Sequence, residues 1–184
     1  MISHLSIGLL VQLVIGLGIA SIYWPFIWRR PETRHSAAAI NPVVSAFVLA
    51  EHAGYAGYAL LQALTICDLH YDHTSQIFHK YSTDKQAWFS LAVAKEPGTF
   101  DFDQLGSVTY PGVALFMDLS VLGAQAQAAL QDFFLTLTQI QEELGGQIVD
   151  ARRQPIPDVT KAEWEQYAEH ITRQHGSTRD LFAD

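Results

Sequence analysis

The hydrophobic pattern divides the chain at once. No Asp, Glu, Lys or Arg occurs from Met1 to Trp28, and Leu5 to Ile27 is almost entirely Leu, Ile, Val, Gly and Ala. A helix of that length spans about 34 Å at roughly 1.5 Å per residue, enough for a hydrocarbon core of about 30 Å. Tyr23, Trp24, Phe26 and Trp28 gather at its far end, where aromatic rings suit a membrane–water interface. The pattern predicts one N-terminal transmembrane helix within residues 1–28. A secretory leader would open on basic residues and end on small ones, whereas here no Lys or Arg precedes the run and bulky rings follow it.

Beyond the run, Arg29, Arg30 and Arg34 are countered only by Glu32. The positive-inside rule then predicts a short N-terminal end outside and a C-terminal part in the cytoplasm. Residues 29–41 read as a short juxtamembrane linker, with Pro31 and Pro42 as breakers.

From Val43 the pattern alternates between strand-like and helix-like runs. Val43–Ala50 is short and apolar, a strand. Tyr58, Leu61 and Leu64 have helical spacing and predict a helix over Tyr55–Ile66. Leu69–Tyr81 has no Gly or Pro and alternates loosely, a strand; Ser82–Gln86 is a polar hairpin loop. Trp88–Ala94 is a strand with Phe89, Leu91 and Val93 on one face and Trp88, Ser90, Ala92 and Ala94 on the other. Val113–Leu119 alternates in the same way, with Ala114, Phe116 and Asp118 on its second face. Ala126, Leu130, Phe133, Leu137, Ile140 and Leu144 form one helical stripe, stopped by Gly145–Gly146. Gln147–Ala151 reads as a short strand. Thr160 and Glu163 have the spacing of a capping box and open a last helix, and residues 174–184 read as a frayed tail. The succession predicts an α+β domain over 42–173 with a largely antiparallel sheet. With helices on one face only, the other face exposes Ala92, Ala94, Ala114 and Phe116, an apolar surface suited to binding.

Composition narrows the chemistry. A net charge of −8 argues against a nucleic-acid partner. The single cysteine, Cys67, excludes an intramolecular disulfide and a multi-thiolate zinc site. The densest polar cluster is Cys67, Asp68, His70, Asp72 and His73, but strand alternation sends His70 and Asp72 one way and Cys67 and His73 the other. That division disfavours a metal site, and no cofactor is expected. No nucleophile elbow, P-loop or dinucleotide fingerprint occurs, so the chain does not read as an enzyme.

Several segments in order resemble one family. "FSLAVAKEPGTFD" (Phe89–Asp101), "YPGVALFMDL" (Tyr110–Leu119), "IQEELGGQIVDARRQPI" (Ile140–Ile156) and "QIFHKY" (Gln76–Tyr81) are similar to segments of the ZipA family, bacterial division proteins that tether FtsZ to the inner membrane. The resemblance covers about Pro42 to Ile171. It implies that the membrane is a bacterial inner membrane and the N-terminus periplasmic. It also implies a six-stranded antiparallel sheet with three helices on one face, and on the other face a shallow apolar cleft for the C-terminal peptide of FtsZ. By position the cleft comprises Ala92, Ala94 and Glu96 on one strand, Ala114 and Phe116 on another, Ser75 and Ile77 from the strand of "QIFHKY", and Phe47 on the first. Phe116 is the expected energetic anchor, since aromatics dominate such sites.

Two departures from the family pattern stand out. The family places a long Pro/Gln-rich linker where roughly a dozen residues stand here. Ala94 and Ser75 fall where the family has larger apolar side chains, and Glu96 where it tends to have Lys. A membrane-anchored adaptor of the same fold with a different peptide partner is therefore the alternative. A dimer contact on the apolar face, or coverage by the "DLF" of Asp180–Phe182, is the plainer reading of that face.

Overall fold

The computed structural model describes residues 41–180, with side chains to residue 176. The expected transmembrane anchor, all but the last residue of the linker, and residues 181–184 lie outside the described residues. Among the described residues no helix is long and apolar enough to cross a membrane.

In chain order the elements are β1 (Val43–Leu49), β2 (Tyr55–Ala56), α1 (Gly57–Ile66), β3 (His70–Asp72), β4 (Ile77–Tyr81), β5 (Ala87–Val93), β6 (Thr109–Tyr110), β7 (Gly112–Asp118), α2 (Ala126–Leu144), β8 (Gln147–Val149) and α3 (Asp158–Asp180). Six strands form one sheet in the order β3-β4-β5-β7-β1-β8, and β2 pairs with β6 apart from it. Every pairing is antiparallel. This is the α+β class that the alternation predicted.

Period-two alternation sends Val44, Ala46 and Val48 of β1, Phe89, Leu91 and Val93 of β5, and Val113, Leu115 and Met117 of β7 into one core. The facing helical stripes complete it. α1 contributes Leu60 and Leu64, α2 contributes Leu130, Phe133, Leu137 and Ile140, and α3 adds Ala168 and Ile171. Two glycines are demanded by close approach. A Cβ on Gly57 would meet the Leu105 carbonyl oxygen at 2.2 Å. Gly146, at φ +99°, would put one 2.4 Å from the Leu49 oxygen. It follows Gly145, which closes α2 through its N–H to the Gln141 carbonyl at 2.8 Å.

Some boundaries differ from the sequence pattern, each for a local reason. Leu69–Tyr81 is not one strand but the hairpin β3–β4. Its turn is built by Asp72, whose carboxylate accepts the N–H groups of Thr74 and Ser75, and by Gln76 at φ +57°. Tyr55 and Ala56 precede α1 as strand β2 rather than as its first turn. α3 begins at Asp158, two residues before the expected capping box, so Thr160 lies inside the helix and its N–H bonds the Pro157 carbonyl. The helix also runs to Asp180, through part of the expected tail. Trp88 does not join the open face. Beside the bulge at Lys80/Tyr81 it packs on the core and donates from Nε1 to Gln125 Oε1 at 2.6 Å.

One charged side chain is built into the helix side. Lys80 Nζ donates to the carbonyl of Cys67, the residue closing α1, at 2.8 Å, and lies 3.5 Å from Asp68 and 3.8 Å from Asp132. Burial raises the pKa of Asp132 while Lys80 pulls against it. Lys80→Met therefore strands a half-buried carboxylate and an uncapped carbonyl, costing about 1.5 kcal/mol at neutral pH. Without Lys80 the folded-state pKa of Asp132 rises further above the unfolded value. The deficit is therefore full above that pKa and shrinks as the pH falls through it. Urea unfolding of both proteins at pH 7 and pH 4.5 checks this; a deficit unchanged by acid would contradict it.

Candidate functional site

The sheet face opposite the helices is organised in cross-strand rows. Register pairs Ala92 of β5 with Ala114 of β7, Ala114 with Phe47 of β1, and Phe47 with Val149 of β8. Ile77 of β4, one residue before the Phe78–Leu91 pair, extends this row. The adjacent row runs His70, His79, Ser90, Phe116, Ser45 across β3, β4, β5, β7 and β1. The helices pack on the other side of the sheet, and Phe47, Ala92, Ala114 and Val149 stand outside the helix-side core.

These rows define a floor with taller sides. The sequence pattern predicted that Ala92 and Ala114 would be exposed. Instead they keep only 5% and 4% of their surface, and Phe47 keeps 8%. A methyl side chain flanked by Ile77, Phe47 and Phe116 is overshadowed by its neighbours. Ile77, Ala94 and Phe116 remain half-buried and present apolar area to solvent.

The other expected positions lie differently. Ala94 follows the last residue of β5, and its N–H still bonds the Gly112 carbonyl at 2.9 Å. Glu96 is not on the strand. It is exposed in the turn where Gly98 N–H bonds the Lys95 carbonyl at 2.7 Å. Ser75 is not on β4 but in the turn before it. Its hydroxyl, like its N–H, is bound by Asp72 Oδ2. The structure thus brings Phe47, Ile77, Ala92, Ala114 and Phe116 into two neighbouring rows, sets Ala94 and Ser75 at their border, and puts Glu96 at the rim.

Sequence reasoning passed over a polar chain on the same face. Ser75 Oγ donates to Asp72 Oδ2 at 2.6 Å and lies 3.4 Å from His79 Nε2, while His79 Nδ1 is 2.9 Å from Ser90 Oγ. Three hydrogen bonds, led by that of the Ser75 hydroxyl, hold the Asp72 carboxyl down at about 2. Burial lowers the pKa of His79, against the pull of Asp72. Period-two alternation alone would have put His79 beside Ile77, and Ser90 beside Ala92.

The Cys67–His73 cluster does not converge. Cys67 is buried at the end of α1, and burial pushes its thiol up to about 11. His70 pairs with Asp68 at 3.5 Å, and His73 packs edge-on against Tyr71. Among the described residues no three His, Cys, Asp or Glu side chains are grouped to hold a metal ion.

Residues 43–169 match the family described as ZipA, C-terminal FtsZ-binding domain. Similar proteins include three named cell division protein ZipA. That of Hamiltonella defensa is 31% identical over 68% of this chain and 46% of its own length. That of Shewanella frigidimarina is 36% identical over 48% of this chain and 26% of its own. That of Shewanella amazonensis is 33% identical over 59% and 31%. The chain thus spans less than half the length of these relatives. From β1 into α3, in sequence and in the antiparallel sheet that sequence builds, the chain belongs to the ZipA family through its C-terminal FtsZ-binding domain.

Proposed function

We propose that this chain is a bacterial cell-division protein that tethers FtsZ to the inner membrane: its N-terminal helix spans the bilayer, and its cytoplasmic domain binds the C-terminal peptide of FtsZ on the open sheet face. The observation that carries this reading is the pair of cross-strand rows, in which Phe116 rises over a floor of alanines in a domain of this family. Apolar area in such a groove contributes about 25 cal/mol per Å² removed from water. The uncharged run through Trp28 and the arginines after it support the anchor and its orientation.

A titration of the full chain, in detergent, with the C-terminal peptide of FtsZ from the same organism tests the reading. Saturable binding, absent with a scrambled peptide, is the expected result. No binding at high micromolar peptide would pass the function to the second reading, a membrane-anchored adaptor for a different peptide. That reading draws on Ser75, tied to Asp72, and on Glu96 at the rim, which together make this end of the cleft more polar and more acidic.

A further inference from the structure

The polar chain favours one tautomer of the neutral His79 ring. A carboxylate only accepts, so the Ser75 hydroxyl must donate to Asp72 at 2.6 Å. The oxygen of Ser75 is then left to accept from His79 Nε2–H across a long 3.4 Å contact. Nδ1 becomes the acceptor, and the Ser90 hydroxyl donates to it at 2.9 Å. Both ring nitrogens are thereby occupied by the two serines, and the ring is half-buried on the open face. In register, Ser90 separates His79 from Phe116. Two aromatic rings thus stand either side of one short side chain.

We propose that His79 is a specificity-determining residue of the cleft: held as a neutral ring by Ser75 and Ser90, it frames with Phe116 a subsite for an apolar side chain of the bound peptide. This rests on the peptide-binding reading of the face. A ligand that covers the ring with apolar surface removes it from water, which penalises the imidazolium. Binding and protonation are then mutually exclusive to that extent, and by linkage the peptide binds more weakly as the pH falls through the ring's free-state pKa. The groups facing His79 are few. Asp72 and His70 come from the β3 side, the second as its register partner, and Tyr81 from β4 at 6.0 Å between rings. Ser75 and Ser90 do not titrate. Asp72, held at about 2, stays charged throughout the range that matters.

The test is a titration of the full chain with the FtsZ C-terminal peptide at pH 7.5, 6.5 and 5.5, on the native protein, His79→Gln and Ser90→Ala. The native protein should lose affinity severalfold between pH 7.5 and 5.5, short of the roughly tenfold that an unshifted imidazole would give, because burial lowers the pKa of the free ring. His79→Gln should change less than twofold over that range. Ser90→Ala, which removes the donor that satisfies Nδ1 of the neutral ring, should move the midpoint to higher pH. Nitrogen-15 spectra of the native imidazole should show the Nε2-protonated neutral form at pH 7. A flat native profile, or an equal slope in His79→Gln, overturns the proposal while leaving peptide binding intact. Absence of binding at every pH overturns the functional reading and this subsite with it.

Discussion

Phe133→Ala should cost about 4 kcal/mol of folding free energy, a loss large enough to threaten the whole domain. The ring is fully buried in the middle of α2. It meets Phe89 of β5 edge-to-face, with centroids 5.5 Å apart, and its neighbour Phe134 carries the helix surface on to Trp164 of α3. Removing the ring opens a cavity where helix meets sheet, and the rigid strand backbone cannot collapse into it. Urea unfolding followed by far-UV circular dichroism measures the loss; a deficit under 1 kcal/mol would mean that α2 does not key into the sheet there. The same change should leave the opposite face in place, because Phe89 and Ser90 point to opposite sides of β5.

Phe116→Ala is its counterpart on the open face. It should weaken the FtsZ peptide by about 2 kcal/mol, roughly thirtyfold, while lowering stability by less than about 1 kcal/mol. Phe116 is only half-buried, and its neighbours in the row are Ser90 and Ser45, which make little apolar contact with it in the free protein. A peptide that lies across the row would cover the ring on its exposed side. Calorimetric titration beside a thermal melt separates the two effects. Equal affinity in the variant would place the peptide elsewhere, and a large fall in melting temperature would mark Phe116 as a structural residue.

How far the sequence announced this fold depends on whether the signal is local. The α2 stripe from Ala126 to Ile140 was legible because each step repeats the helical period on one face. The two faces of β5 and β7 were legible for the same reason, at period two. The β3–β4 turn was not. Its chemistry is a carboxylate capping two amides and a left-handed Gln76, without the Gly or Pro that marks most turns. Ser75 and Glu96 were placed on strands by their position in the family resemblance, in segments that in fact turn. The chain from Asp72 to Ser90 was illegible for a deeper reason. It joins residues on different strands, and register is set by the packing of the whole sheet rather than by any one segment. The same holds for the depth of the floor, since whether Ala92 and Ala114 are recessed depends on the height of Ile77, Phe47 and Phe116 around them.

β1 has a mechanical consequence. It is paired with β7 along all seven of its residues, with β8 only over its last three, and the Leu119 N–H fastens the entrance by bonding the Pro42 carbonyl at 2.9 Å. A pull arriving from the N-terminal side enters at Pro42 and runs along the axis of β1. The bonds to β7 lie across that axis, so they share the load in shear instead of parting one at a time like a zipper. The two strands that would bear such a force, β1 with Phe47 and β7 with Ala114 and Phe116, both contribute to the open face. Under the proposed function, traction from a membrane anchor and traction on a bound partner would therefore meet across a single strand pair, the longest in this sheet.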